Sequence, residues 1–198
     1  MFSERIRMHY YKHETAEVEE GATIGDNTKI WRWTHIRSGA IIGEDCVLGQ
    51  NVYVAEKAII GNNVHIQNNV SIYNLITLED DVFIGPSVVF TNDKRPRVGI
   101  VNQIPTLIKQ GASLCANTTV VCGIIVGRYA LVGAGSVVTK DVPDYALFYG
   151  DPARLAGWVC KCGADIDFAN RIWPCITTCK VCGRQFNKEE KIIACEEG

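Results

Sequence analysis

Every sixth residue from Val18 is aliphatic or Phe: Val18, Ile24, Ile30, Ile36, Ile42, Leu48, Val54, Ile60, Ile66, Ile72, Leu78, Ile84 and Phe90. After a gap the same phase returns as Ile108, Leu114, Val120, Val126, Val132 and Val138. Ile, Leu, Val and Phe together make up only 56 of the 198 residues, so nineteen hits in one phase are not chance. A period of six fits neither an amphipathic helix nor an alternating strand. It fits a short strand and a corner, repeated. The residue two before the aliphatic one is mostly small or β-branched (Ala16, Ala22, Thr28, Thr34, Ala40, Cys46, Val52, Ala58) and shares its face of the strand. Gly often follows the aliphatic residue, as at Gly25, Gly43, Gly49, Gly61, Gly85, Gly127 and Gly133, where it is expected to supply unusual corner angles. Three sides close a triangle, so one coil takes about 18 residues and the repeats predict an all-β prism of about six coils with parallel strands. A β-sandwich with regular turns would not hold one phase over this length.

Composition narrows the function classes. Lys and Arg total 20 against 22 Asp and Glu, a net charge of −2, which argues against a nucleic-acid surface working by bulk charge. Charged residues are 21% and apolar ones 47%, a globular balance. No stretch of 18 apolar residues occurs, so membrane insertion is not expected. The first ten residues, Met1 to Tyr10, are charged and lack an apolar signal core, so a cytoplasmic protein is expected.

Between Phe90 and Ile108 the phase positions hold Pro96 and Asn102. A solenoid that loses register and resumes the same phase has ejected a loop, here residues 91–107, and such loops carry function more often than scaffold does. Lys94, Arg95 and Arg97 face one Asp93 within it. Arg suits phosphate or carboxylate, which guanidinium grips in bidentate fashion; the plainer reading is a solvated loop with ordinary surface charges.

The hexad resembles that of the hexapeptide acyltransferases, and the resemblance, not the repeat, implies a left-handed parallel β-helix and a homotrimer with sites between subunits. The segments Ile30-Trp-Arg-Trp-Thr-His-Ile36, Leu48-Gly-Gln-Asn-Val52, Ile66-Gln-Asn-Asn-Val-Ser-Ile-Tyr73, Leu78-Glu-Asp-Asp-Val-Phe-Ile-Gly-Pro86, Val89-Phe-Thr-Asn92 and Gly150-Asp-Pro-Ala-Arg154 look like one subgroup, the nucleotide-sugar N-acetyltransferases. The match covers most of residues 13–160. It is nearest to enzymes that acetylate the 3-amino group of UDP-2-acetamido-3-amino-2,3-dideoxy-glucuronate, for surface polysaccharide synthesis. The alternatives are an N-acetyltransferase of a dTDP-3-amino-3,6-dideoxy sugar and, in another class, a non-enzymatic β-helix scaffold. A hexapeptide carbonic anhydrase would need three converging histidines, and the four here, His9, His13, His35 and His65, all precede the loop.

The implied reaction is acetyl transfer from acetyl-CoA to a sugar amine, which needs alignment, oxyanion donors and a fate for the amine proton. Either no side chain acts as base and the leaving thiolate takes the proton, or His35 or an acidic residue near Glu79 does this work. Asn92 is the candidate catalytic residue, holding the amine lone pair toward the thioester; its alternative role is to cap the exiting loop. His35 and Arg97 are the substrate-binding candidates, His35 for the nucleotide and Arg97 for the uronate carboxylate or a phosphate. For the coenzyme, backbone N–H groups near Ala116 and Ala134 would meet the pantetheine amides, and Lys140 and Arg154 the phosphates. Cys115 stands where the subgroup usually has Gly, which puts an oxyanion donor there in doubt. Asn68 and Asn69 fit an interior or corner amide ladder, and Cys46 reads as core.

After Gly157 the hexad phase ends. Six of the nine cysteines crowd into the remaining residues. Cys160-Lys-Cys162-Gly and Cys179-Lys-Val-Cys182-Gly, separated by sixteen residues, look like the two knuckles of a zinc ribbon, with four thiolates closing a structural Zn2+ site. The first knuckle is tighter than the usual Cys-x-x-Cys, so Cys175 is an alternative ligand, and Cys195 reads as a bystander. Disulfides or free thiols are the competing reading. The expected division is a hexapeptide-repeat domain at 1–157 and a zinc-ribbon tail at 158–198, too small to stand without its ion.

Overall fold

The computed structural model describes residues 9–168, 175–189 and 192–195. The first eight residues of the N-terminal segment, read above for export, and the Cys195 side chain lie outside the described set. Each hexad forms a two- or three-residue strand, and successive strands turn onto three faces of a prism. The first face runs from Tyr11–Lys12 through Lys29–Ile30, Val47–Leu48, His65–Ile66, Phe83–Ile84, Ser113–Leu114 and Leu131–Val132 to Ala146–Gly150. The second runs from Glu17–Val18 through His35–Ile36 and Tyr53–Val54 to Ser71–Ile72 and, after a break in the ladder, from Val89–Phe90 through Thr119–Val120 to Val137–Val138. The third runs from Thr23–Ile24 through Ile41–Ile42, Ile59–Ile60, Ile76–Leu78 and Thr106–Ile108 to Ile125–Val126. All pairings between these strands are parallel, with partners such as Lys29↔Val47 and His35↔Tyr53 eighteen residues apart.

The result is a parallel β-solenoid of about eight turns, more than the six the hexad count predicts. The count missed both ends for local reasons. At the start Lys12 occupies an aliphatic phase position, and at the finish the last coil is short, with Leu131 opposite Leu147 sixteen residues on. The chain then folds back as Ala153–Trp158, antiparallel to Ala146–Gly150. Among the described residues there is no helix.

The aliphatic and Phe phase positions from Ile30 to Phe90 and from Ile108 to Val138 are at most 2% exposed and form one continuous core. Each coil buries three of them, about 1.5–3 kcal/mol apiece. The inward small positions do a second job. Thr28 Oγ1 donates to Gly43 C=O and Thr34 Oγ1 to Gly49 C=O, each at 2.8 Å, and Cys46 Sγ donates to Gly61 C=O at 3.1 Å. Cys46 is thus a core residue that also satisfies a corner carbonyl.

The glycines that follow the aliphatic residues have a different role from the one expected. None of Gly25, Gly43, Gly49, Gly61, Gly85, Gly127 or Gly133 has positive φ. They are small because the next coil's backbone is too close; a Cβ on Gly61 would lie 2.8 Å from Asp80 N. The left-handed residue sits two positions later, at Asn27, Asp45, Asn51 and Asn63, and at Asn69, Asp81 and Asn117 in the same register where no glycine precedes, types that tolerate this conformation. Gly61→Ala is expected to cost about 1–3 kcal/mol of stability by overpacking. Ser87→Gly, at φ 57°, should instead gain up to about 1 kcal/mol. Equilibrium urea unfolding of the two variants checks both signs.

Candidate active site

Call the corner between the first and second faces the first edge, and the corner between the second and third faces the second edge. The second edge is broken once. Leu78 pairs with Ile108 and Phe90 with Val120, thirty residues apart instead of eighteen, so twelve extra residues leave the coil here. The strand resumes at Thr106, so the excursion is 91–105.

Both roots of this loop are pinned to the next coil. Cys122 N–H donates to Thr91 Oγ1 at 2.9 Å, and Gly123 N–H donates to Thr106 Oγ1 at 3.2 Å. Ile104 N–H donates to the Asn92 carbonyl at 3.0 Å. Inside the loop the Asp93 carboxylate accepts from Arg95 N–H at 2.7 Å and from Asn102 N–H at 3.2 Å. Asp93 therefore caps the loop, a role that an Asx turn into Arg95 makes legible but that the sequence reading did not assign. The half-buried Asn92 side chain makes no hydrogen bond among the described residues, so its carboxamide is not spent on the turn. Lys94 lies back on the solenoid, its Nζ 3.4 Å from where a Cβ on Gly123 would be. Arg97 is exposed at the tip and donates through Nη1 to Pro96 C=O at 2.8 Å. Val98, Ile100 and Val101 beside it are 106%, 66% and 80% exposed.

His35 stands on the second face, three strands before Val89, about 14 Å at the usual strand spacing. Its Nε2 is 2.9 Å from Glu19 Oε1, and its ring meets the edge of Tyr53 at 5.7 Å. Arg37 Nε pairs with the same carboxylate oxygen at 2.8 Å. The Ser38 backbone N–H, with His35 and Arg37, holds the Glu19 carboxyl down at about 2. His35 thus belongs to a charged cluster with Glu19 and Arg37, which sequence spacing alone did not connect. Glu79 lies on the remaining corner, where its carboxylate accepts from Gln110 N–H at 2.9 Å.

The corner N–H groups show which edge is open. At some corners a side chain from a neighbouring coil covers them, while the N–H groups of Asp26, Arg32, Asn68 and Asp80 have no acceptor among the described residues. Asn62 Oδ1 accepts from Glu44 N–H, Asp80 from Asn62 N–H, Asp144 from Arg128 N–H and Asn68 from Gln50 N–H. Asn68 and Asn69 are such a corner ladder, with Asn51 Nδ2 donating to Asn69 Oδ1 at 3.1 Å. On the first edge above Asn68 the corresponding residues are Pro86, Ala116 and Ala134, none of which carries a capping side chain. The N–H groups of Ala116 and Ala134 have no acceptor among the described residues. The Cys115 N–H, by contrast, donates to Val132 C=O at 2.9 Å, so it is part of the ladder. Burial pushes the Cys115 thiol up. Of the two cations expected near the coenzyme, Lys140 lies exposed on the second edge, its Nζ 6.0 Å from the Phe148 ring. Arg154 is exposed on the closing hairpin of the first face.

Within the chain, therefore, Ala116 and Ala134 line one border of the second face, Asn92, Arg97 and Lys140 the other, and His35 the face itself. The histidines form no metal-ligand group among the described residues; the group that does is Cys160, Cys162, Cys179 and Cys182.

The repeat matches the family models for bacterial transferase hexapeptide (six repeats) over residues 21–56 and hexapeptide repeat of succinyl-transferase over 39–74 and 106–140. A dTDP-3-amino-3,6-dideoxy-α-D-galactopyranose 3-N-acetyltransferase of Aneurinibacillus thermoaerophilus is 42% identical over 186 residues, 93% of this chain and 94% of that protein. The chain belongs to the hexapeptide-repeat acetyltransferases. As a hexapeptide-repeat acetyltransferase it is an enzyme, an acyltransferase, and not a bare scaffold. A solved hexapeptide-repeat acetyltransferase of Vibrio cholerae is 26% identical with a TM-score of 0.53, covering 59% of this chain and 72% of that one. A galactoside acetyltransferase solved with coenzyme A has 22% identity and the same TM-score, over 61% of this chain and 64% of its own, and shares the fold. No helix among the described residues is long and apolar enough to cross a membrane.

Asp93→Ala should free the Arg95 and Asn102 N–H groups and loosen the loop without disturbing the coils. Limited proteolysis is expected to cut between residues 94 and 102 at least about tenfold faster than in the parent, the equivalent of two ordinary hydrogen bonds.

Proposed function

We propose that this acetyltransferase moves the acetyl group of acetyl-CoA to the 3-amino group of a nucleotide-linked amino-deoxy sugar, with a dTDP-3-amino-3,6-dideoxyhexose as substrate. Support for the sugar comes from the 42% identical relative, which acts on that class by name. Support for the coenzyme comes from the bare N–H groups of Ala116 and Ala134, which are spaced one coil apart along an open edge and suit the two amide carbonyls of pantetheine.

In this reading the neutral amine attacks the thioester carbon, the C–N bond forms, and the tetrahedral intermediate collapses by breaking C–S. The proton leaves the nitrogen for the departing thiolate. No side-chain base is assigned, in keeping with a His35 Nε2 already held by Glu19 and a Glu79 already bonded to Gln110. The raised Cys115 thiol stays protonated, which favours direct transfer over an acyl-enzyme. Asn92 orients the amine through its unengaged carboxamide. Asn92 and the Ala116–Ala134 edge lie on opposite borders of the second face, so one copy's loop serves a coenzyme on the next copy's first edge. A homotrimer supplies that contact and covers Val98, Ile100 and Val101. Lys140 joins the coenzyme phosphates from the same neighbouring border, and Arg154 from the closing hairpin.

One observation favours a second substrate, the UDP-linked 3-amino uronate. Asp93 is held by backbone N–H groups and pairs with none of Lys94, Arg95 and Arg97, which leaves these cations available to the uronate carboxylate. A thiol-release assay with both nucleotide sugars decides: faster turnover of the dideoxyhexose is expected, and preference for the uronate, lost in Arg97→Ala, would reverse the assignment.

Two variants test the site. Asn92→Ala is expected to lower kcat by about 100-fold, as loss of alignment does, with unchanged thermal unfolding; parental kcat would remove Asn92 from the mechanism. Ala116→Pro copies the Pro86 found one coil earlier and deletes one N–H. It should fold normally and raise KM for acetyl-CoA by about tenfold, the equivalent of one lost hydrogen bond.

A further inference from the structure

The cysteines of the tail are arranged for a cation. The Sγ atoms of Cys160, Cys162, Cys179 and Cys182 all lie within 4.8 Å of one another. Cys160 and Cys182 are 3.4 Å apart, and Cys162 and Cys179 3.7 Å. A disulfide needs about 2.05 Å, whereas four sulfurs about 2.3 Å from a central Zn2+ would be about 3.8 Å apart at each tetrahedral edge. The two knuckles are built alike although the first is one residue shorter. Gly163 and Gly183 follow them at φ 85° and 75°, and Gly163 N–H returns to Cys160 C=O as Gly183 N–H does to Cys179 C=O, at 2.8 and 3.0 Å. Backbone N–H groups of Cys162, Val181, Cys182 and Arg184 point at the sulfurs of Cys160, Cys179 and Cys182, and Arg184 Nη1 lies 3.3 Å from Cys182 Sγ. Cys175, the alternative ligand, is on the strand Cys175–Thr178 and outside the group.

What the knuckles hold in place is the end of the solenoid. The left-handed corner position that takes Asp81 and Gly111 in earlier coils is Tyr129 and then Tyr145 in the last two. Large side chains in that conformation persist only where their surroundings hold them. The two rings stack at 5.4 Å and 19°, Phe186 of the tail meets Tyr145 edge-on at 5.3 Å, and Lys161 Nζ lies 4.6 Å over Tyr129. Val159 N–H donates to Tyr145 C=O, and Phe186, Cys160 and Cys179 are buried continuously with the solenoid core.

We propose that Cys160, Cys162, Cys179 and Cys182 bind one Zn2+ ion, and that the ribbon it fastens is the cap that closes the solenoid over Tyr129 and Tyr145. The ion is structural: four thiolates leave no open position for substrate. Removing it releases the ribbon from the last coil, while the earlier coils, joined by their own register, stay assembled.

The full-length reduced protein, purified with zinc present, is assayed for metal by mass spectrometry. One zinc per chain is expected, and one Co2+ per chain after exchange, with the intense thiolate-to-cobalt absorption of a tetrahedral four-sulfur site. Cys182→Ser should lose the metal, whereas Cys175→Ser and Cys115→Ser should keep it. Should Cys182→Ser fail to fold, the cobalt spectrum of the parent still decides. Limited proteolysis after chelation is expected to cut first between residues 159 and 190, leaving the coils intact. Metal well below one per chain, bound iron instead of zinc, a cobalt spectrum lacking four-sulfur character, or loss of metal in Cys175→Ser would overturn the site. Identical proteolysis of the chelated and zinc-loaded protein would overturn the capping role.

Discussion

Most hexads are fixed by backbone hydrogen bonds to the hexad one coil on, usually eighteen residues later, and the shape of the solenoid follows from that register. Because the bonds run parallel along three faces, a side chain at one corner position always faces its counterpart one coil away. Asn caps Gln, Asp caps Asn, and Thr or Cys satisfies a glycine carbonyl across the interior. A slip of one residue would turn every ladder outward. The register also makes departures visible, and the three largest departures are the loop, the uncapped first edge and the aromatic corner under the ribbon.

The core was legible because its signal is repeated: the same aliphatic phase recurs in coil after coil, and the structure buries it as expected. Single events were less legible. The number of turns depended on Lys12 and on a sixteen-residue coil, neither of which carries the aliphatic phase. The glycines after the aliphatic residues announce a crowded corner, but sequence alone does not separate a missing Cβ from a special φ. Asn and Asp two positions later were the signal for the left-handed conformation.

The candidate site is harder to read from sequence because most of it is backbone. In the sequence only the resemblance points to Ala116 and Ala134; that no side chain caps their N–H groups appears only when coils are superposed. His35 drew notice as a lone imidazole, yet its setting is the carboxylate of Glu19 and the guanidinium of Arg37, one coil and one corner away. Likewise the loop's cations stood out, while Asp93, which shapes the loop, was read only as their counter-charge. The structure does bring together the four cysteines that the spacing singles out, since knuckles are local and each glycine sits where the turn needs it.

Loop and open edge belong to opposite borders of one face, and the transfer proposed between them calls for a second copy, which a ring of copies supplies most simply. The most direct test is a crystal structure with acetyl-CoA bound. The pantetheine arm is expected along the first edge, its two amide carbonyls accepting from the N–H groups of Ala116 and Ala134, with Asn92 of a neighbouring copy at the thioester. A coenzyme lying instead on the corner capped by Asn62, Asp80 and Asp144, or one bound wholly within a single copy, would contradict it.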